Sequence, residues 1–346
     1  MLERVIAYVV GRPWAVLPEI AEIMVDVLAR RAMGERLAEE EIEARIGRPI
    51  DMQAAAPVRR QEAASGAEGG AVAVVPVAGI IAHRARAVQN LSSPASTSTE
   101  LLGAQLRELM GDARVGAIVL DVDSPGGTVD GVPELAAEIR RMRGQGKPIV
   151  AVANALAGSA AYWIASQADE FVVTPSGQVG SIGVFTVHED LSKRLEAEGR
   201  KLTLISAGKF KTEGHPYAPI TDEALAAVKT KVDAYYGMFV SGVAQGRGVP
   251  VAQVRDGFGQ GRTLIARDAV AEGMADRVDT LEHVIERLAA GDRPAPRQRA
   301  KAEDLAPAPV ATDPAPAVTL SAVSATASVD DDLDLRRRRL RAMGRA

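Results

Sequence analysis

Residues 148–168 read PIVAVANALAGSAAYWIASQA, 21 consecutive residues without a charge, and the way this run divides decides the fold. By length alone it could cross a bilayer. Asn154, Gly158, Ser159, Ser166 and Gln167 interrupt it, however, and the better division is a buried strand over Pro148–Ala153, a turn at Gly158 and a buried helix after Ser159. A serine at such a junction presents its hydroxyl at a strand end. The backbone N–H of the next residue, Ala160, is then free at a helix N-terminus to bind an oxyanion. The chemistry indicated is acyl transfer.

Outward from this run the pattern repeats. On its N-terminal side the apolar strand Ala117–Val122 leads into a turn, Ser124-Pro125-Gly126-Gly127, and a helix from Pro133 to about Arg143. Further upstream lie a strand over Ala71–Ile81, broken by Pro76 and Gly79, and a helix over Thr99–Met110. Downstream come a strand Phe171–Thr174, a loop Val179-Gly180-Ser181-Ile182-Gly183 and a strand Lys201–Ile205. Strands alternating with helices predict an α/β domain on a mainly parallel sheet. In such a sheet the loops at the C-terminal strand ends carry the chemistry. The two glycines of the 124–127 turn allow close backbone approach to a ligand, and Gly127 is placed to give the second N–H of an oxyanion hole.

The rest of the 346-residue chain divides by composition into 1–50, a helical module; 51–70, an Ala/Gly/Glu linker; 71–290, the α/β domain; and 291–346, a tail. Pro18 opens the first module, where Ile20, Ile23, Met24, Val27 and Leu28 mark one apolar helix face. Beyond residue 292 six of the chain's 19 prolines fall in an Ala-rich stretch that cannot bury enough surface to fold alone, so a disordered tail is expected. It ends in an acidic run, Asp330–Asp332, beside Arg336–Arg339, which reads as a solvated charged end or a docking segment.

A net charge of -4 gives no pull towards nucleic acid, and no nucleic-acid partner is expected. The absence of cysteine removes disulfides, thiolate catalysis and cysteine-ligated zinc; no metal or cofactor is expected. Met1–Val10 lacks the layout of a secretory signal, so neither export nor a membrane anchor is expected and the location expected is cytoplasmic.

A serine hydroxyl needs a base to take its proton. Of the four histidines only His188 has workable spacing from Ser159, and it stands where a helix-capping role is the ordinary explanation; His83, His215 and His283 have no comparable placement. A lysine serves if desolvation lowers its pKa towards neutrality. Lys209 and Lys211 follow the strand expected at 201–205, and composition does not choose between them.

The ordered set Asp123-Ser124-Pro125-Gly126-Gly127, Ala157-Gly158-Ser159-Ala160-Ala161-Tyr162, Val179-Gly180-Ser181-Ile182-Gly183-Val184 and Gly208-Lys209-Phe210-Lys211 resembles the S49 family of serine peptidases. The family includes signal peptide peptidase A and phage capsid-assembly proteases. The resemblance runs from about Val72 to Val278 and implies a ClpP/crotonase-like spiral of ββα units with a Ser-Lys dyad. Carried over by position, it makes Ser159 the nucleophile, Lys211 the general base, and the N–H groups of Gly127 and Ala160 the oxyanion donors, with Ser181 as a support for the lysine. The opening Arg12-Pro13-Trp14-Ala15-Val16-Leu17-Pro18 resembles phage or prophage members. That branch implies a homo-oligomer acting on scaffold, capsid or portal protein inside an assembling head in the host cytoplasm. Self-cleavage near residues 290–320 is expected as well, because disordered chain can enter an active-site groove. Three other readings stand beside it: a protease degrading signal or membrane peptides, a crotonase-like acyl-CoA enzyme, and a non-catalytic assembly module.

Overall fold

The computed structural model describes residues 12–20, 59–61, 70–84 and 96–294. The expected helix through Val27 and Leu28, and the whole tail from 295, lie outside them.

The centre of the molecule is a parallel run of strands. β3 (Ala71–Ala82), β5 (Val115–Thr128), β6 (Ile149–Gly158), β7 (Glu170–Val173) and β10 (Arg277–Val278) lie side by side in the order β10-β7-β6-β5-β3, all parallel. Short strands complete the edges. β1 (Trp14–Val16) runs antiparallel to the end of β5, and β2 (Arg59–Gln61) antiparallel to β3. β4 (Ser96–Ser98) continues beside β3, and β8 (Gln178–Gly180) lies between the end of β6 and β9 (Thr263–Ile265). The protein is therefore a mixed α/β fold on a parallel sheet.

Because successive strand residues face opposite sides, apolar runs such as Ala117–Leu120 bury both faces. On one face Val75, Ile118, Leu120, Val122 and Ala151 meet α1 (Thr99–Gly111), α2 (Val132–Met142), α3 (Ala160–Ala165) and α5 (Asp222–Arg247). On the other, Val74, Val119, Val150 and Val172 pack against Val284, Ile285 and Leu288 of α8 (Leu281–Ala289). α1 starts where the Ser98 side chain accepts the Leu101 N–H, and α5 where Thr221 accepts that of Ala224; both are ordinary hydroxyl caps. Three shorter helices, α4 (Ser192–Ala197), α6 (Val251–Asp256) and α7 (Ala266–Ala271), fill the connections.

The helix packing is closed by one ion pair. Arg247, buried at the end of α5, makes two hydrogen bonds of 3.2 and 2.8 Å to Asp276, whose carboxylate also accepts the Phe171 N–H at 2.6 Å. α5 is thereby fastened to both β7 and the approach to β10.

The uncharged run 148–168 divides, as expected, into the strand β6 and the six-residue helix α3, with the strand running on past Ala153 to Gly158, and among the described residues no helix is long and apolar enough to cross a membrane. Other expectations are corrected. Ser124–Gly127 is extended strand continuing β5, with only Gly126 at positive φ (101°). Residues 201–205 form no strand, since no neighbouring strand offers a ladder and Leu202, Leu204 and Ile205 are exposed. Part of the expected linker, Arg59–Gln61, pairs with β3. Trp14–Val16, expected within a helical module, is strand.

Candidate active site

Ser159 sits where the sequence pattern puts it, between β6 and α3, but in a conformation that pattern does not reveal. Its φ of 52° and ψ of -114° are unusual for a residue with a side chain, a cost of roughly 1–3 kcal/mol that persists only where the surroundings enforce it. Here they do. The Ser159 N–H donates to the Gly180 carbonyl at 2.7 Å, and the Ser159 carbonyl accepts from Trp163 at 3.0 Å as the first bond of α3. The turn from strand to helix is sharp, the kind that lifts a nucleophile off a sheet edge.

α3 is held rigidly behind it. All six of its residues are buried, the Tyr162 hydroxyl donates to the Met274 carbonyl at 3.0 Å, and the Trp163 ring stacks on Phe239 with centroids 4.6 Å apart. Trp163 fits only because α5 carries glycine at 242; a Cβ there would stand 2.3 Å from the indole nitrogen.

The glycine-rich end of β5 faces the start of this helix. A Cβ on Gly126 would lie 3.0 Å from the Ala160 nitrogen and 3.0 Å from the Gly158 carbonyl oxygen. The strand end is pinned by Ser124, a residue the sequence reading passed over. Its hydroxyl donates to the Gly79 carbonyl at 2.6 Å and accepts the Gly126 N–H at 3.1 Å. A serine before Pro-Gly-Gly is a common turn former, so the signal was present but unspecific. Beside it burial pushes the Asp123 carboxyl above its ordinary range.

Gly127 lies in register with Ala15 of β1 on one side and Ile81 of β3 on the other. Ser181, next to the Gly180 carbonyl that anchors Ser159, is buried with φ 55° and donates its N–H to Arg262 at 2.9 Å.

The structure does not bring the lysine to the serine within one chain. The Ser159 hydroxyl is fully buried without a hydrogen-bond partner. Lys211 lies in an exposed turn closed by its own N–H to Gly208 at 3.1 Å. Lys209 pairs with Glu223 at 3.0 Å and stands 4.4 Å over the Phe210 ring. Among the histidines, His83 bonds Thr99, His215 accepts the Tyr217 N–H and His283 bonds Asp279. His188 has a buried Nε2 without a partner, and at the start of α4 the Ser192 N–H donates to Asp190.

Residues 141–293 match Peptidase family S49. Among curated proteins, the chain is 34% identical over 207 residues to "Capsid assembly protease C" of Escherichia phage lambda, a match covering 60% of this chain and 46% of that one. It is 32% identical over 207 residues to "Head-tail preconnector protein GP5" of Enterobacteria phage P21, covering 60% and 40%. With "Protease 4" of Salmonella typhi it shares 28% over 221 residues, covering 64% and 34%. The chain thus spans less than half the length of each of these three relatives.

Proposed function

We propose that the chain, whose residues 141–293 match Peptidase family S49, is a serine endopeptidase of ClpP/crotonase-like fold whose dyad is Ser159 and Lys211. The observation that carries this reading is the buried, unbonded Ser159 hydroxyl at a strained strand-to-helix junction, directly before the Ala160 N–H.

In the proposed reaction the Lys211 amine takes the Ser159 proton as the oxygen attacks a peptide carbonyl, forming an O–C bond. The oxyanion settles between the N–H groups of Gly127 and Ala160. Of the two glycines, Gly126 already gives its N–H to Ser124, which leaves Gly127 for this role. Collapse breaks the C–N bond, and the protonated lysine returns its proton to the leaving amine. Water, deprotonated by the same amine, then releases the acyl group. Ser181 supports the lysine.

Lys211 must reach this site either by movement of its exposed segment or from a neighbouring copy of the chain. That segment also exposes Ile205 (95%) and Phe210 (54%), apolar surface that suits an interface between copies, and a homo-oligomer is part of the proposal. The substrates proposed are scaffold, capsid or portal proteins, cut within an assembling head in a host cytoplasm, because the phage relatives carry the names of capsid-assembly and preconnector proteins. Self-cleavage at residues 290–320 belongs to the same proposal.

The test is co-expression with neighbouring head proteins, comparing wild type with Ser159→Ala and Lys211→Ala and mapping fragment ends by mass spectrometry. Each substitution should lower cleavage by a factor on the order of 10⁴ or more, because the two groups act as a unit. Unchanged fragments with either variant would end this reading.

A further inference from the structure

A nucleophile has to meet its substrate, yet Ser159 is 0% exposed. Its neighbour Gly158 lies against the segment 13–17, since a Cβ on that glycine would stand 3.4 Å from the Leu17 Cγ. Residues 13–17 run antiparallel to the end of β5: the Leu17 N–H donates to the Pro125 carbonyl at 3.0 Å, and the Val129 N–H to the Pro13 carbonyl at 3.4 Å. The opposite edge of the segment is paired too, because Trp14 exchanges two backbone hydrogen bonds with Phe185, of 2.8 and 3.0 Å. The segment is therefore a middle strand between two walls, and Trp14, Ala15 and Val16 are all buried.

Its register matters more than its burial. Bonded and non-bonded pairs alternate along an antiparallel ladder. Ala15 and Gly127 lie midway between the bonded pairs at Pro13 and Leu17, so the Gly127 N–H faces the Ala15 carbonyl. The Ala160 nitrogen is close by: the point a Cβ on Gly126 would take is 2.3 Å from the Ala15 oxygen and 3.0 Å from that nitrogen. One carbonyl of the chain thus points into the space between the two amides assigned to the oxyanion.

We propose that residues 13–17 occupy the peptide groove in the register of a substrate, with the Ala15–Val16 bond at the position of attack, and that this segment closes the resting site. The inference rests on the peptidase reading and adds to it the form of the ligand. The groove takes an extended peptide as an added strand between β5 and Phe185, by main-chain bonding. It holds a small side chain on the residue whose carbonyl is attacked, since Gly126 flanks that place and Ala15 is 0% exposed. Other chains enter only when the segment leaves.

The 346-residue chain has no cysteine, which permits a clean test. Trp14 and Thr128 face each other in the ladder, so the double variant Trp14→Cys with Thr128→Cys should cross-link under mild oxidation. The cross-link is read by mass whether or not the protein cleaves anything. Oxidised, this variant should hydrolyse a short peptide carrying alanine before a fluorogenic amide at least tenfold more slowly than when reduced. In a second variant, Trp14→Asp, an unpaired carboxylate disfavours the buried strand, and the same peptide should be cut at least tenfold faster than by wild type. No cross-link, equal rates in the two redox states, or an unchanged rate in Trp14→Asp would overturn the proposal. Cross-linking with no hydrolysis by any form, wild type included, would uphold the placement of the segment and sink the peptidase reading instead.

Discussion

The Ser159 N–H donates to the Gly180 carbonyl oxygen at 2.7 Å, so the backbone of the nucleophile hangs from a glycine on a different strand. Gly180 itself has φ 123°, and a Cβ on it would stand 2.7 Å from the Arg262 carbonyl oxygen. β8 is held between β6 and β9 on these terms, and the angle of Ser159 depends on them.

Gly180→Ala should therefore separate β8 from β9 and release Ser159 from its strained conformation. Misplacement of a reacting group by even 1 Å is worth about a hundredfold in rate. The expected result is a loss of that order in kcat/KM on a fluorogenic peptide, with the protein still folded by circular dichroism. Activity within twofold of wild type would show that the Gly180 anchor does not set the angle.

Ser124 offers a second handle. Ser124→Ala removes the acceptor of the Gly126 N–H and leaves the Gly79 carbonyl without its donor, both in a buried place. Loss of a buried partner costs about 1–3 kcal/mol, which should appear as a lower urea midpoint. Because the same hydroxyl fixes the donor strand, kcat should fall more than KM rises.

Arg247 and Asp276 link α5 to the strands, with the guanidinium 5% and the carboxylate 31% exposed. Arg247→Ala leaves the carboxylate half-covered and the Gly273 carbonyl without a donor. A fully buried pair broken in this way loses about 3–5 kcal/mol, and partial solvation here places the loss towards the lower figure. Chemical denaturation of the variant measures it.

Asp123 gives a pH dependence of definite sign. Burial raises its folded pKa above the unfolded value, so between the two the folded state holds more protons and stability falls as pH rises. The penalty is absent below the unfolded pKa and complete above the folded one. Asp123→Asn should raise the melting temperature at neutral pH and leave it almost unchanged at acid pH. An equal shift at both would exclude titration as the cause.

Much of this architecture was legible because it follows from local chemistry. The apolar runs ending at Val122 and Ala153, each followed by glycine and a helix, could only be strands of a covered sheet, and they are. The junction at Ser159 followed from that division. What escaped was set by distant partners. Residues 201–205 look like a strand but have no ladder to join. Trp14–Val16 is strand only because β5 and Phe185 offer both edges. Its one local sign was an apolar triplet between Pro13 and Leu17-Pro18, where proline biases its predecessor to extended backbone. Likewise the bond from Ser124 to Gly79 spans 45 residues and leaves no trace in spacing.

The chain contains two tryptophans, and both are buried. Trp163 is locked against Phe239 in the helix that follows Ser159, while Trp14 belongs to the strand paired with the end of β5. Both indoles are shielded from water, so the folded protein should emit at short wavelength. Withdrawal of the leading segment would wet Trp14 alone and redden part of that light. The protein thus carries an internal optical gauge of whether its groove is filled, readable without label, substrate or turnover.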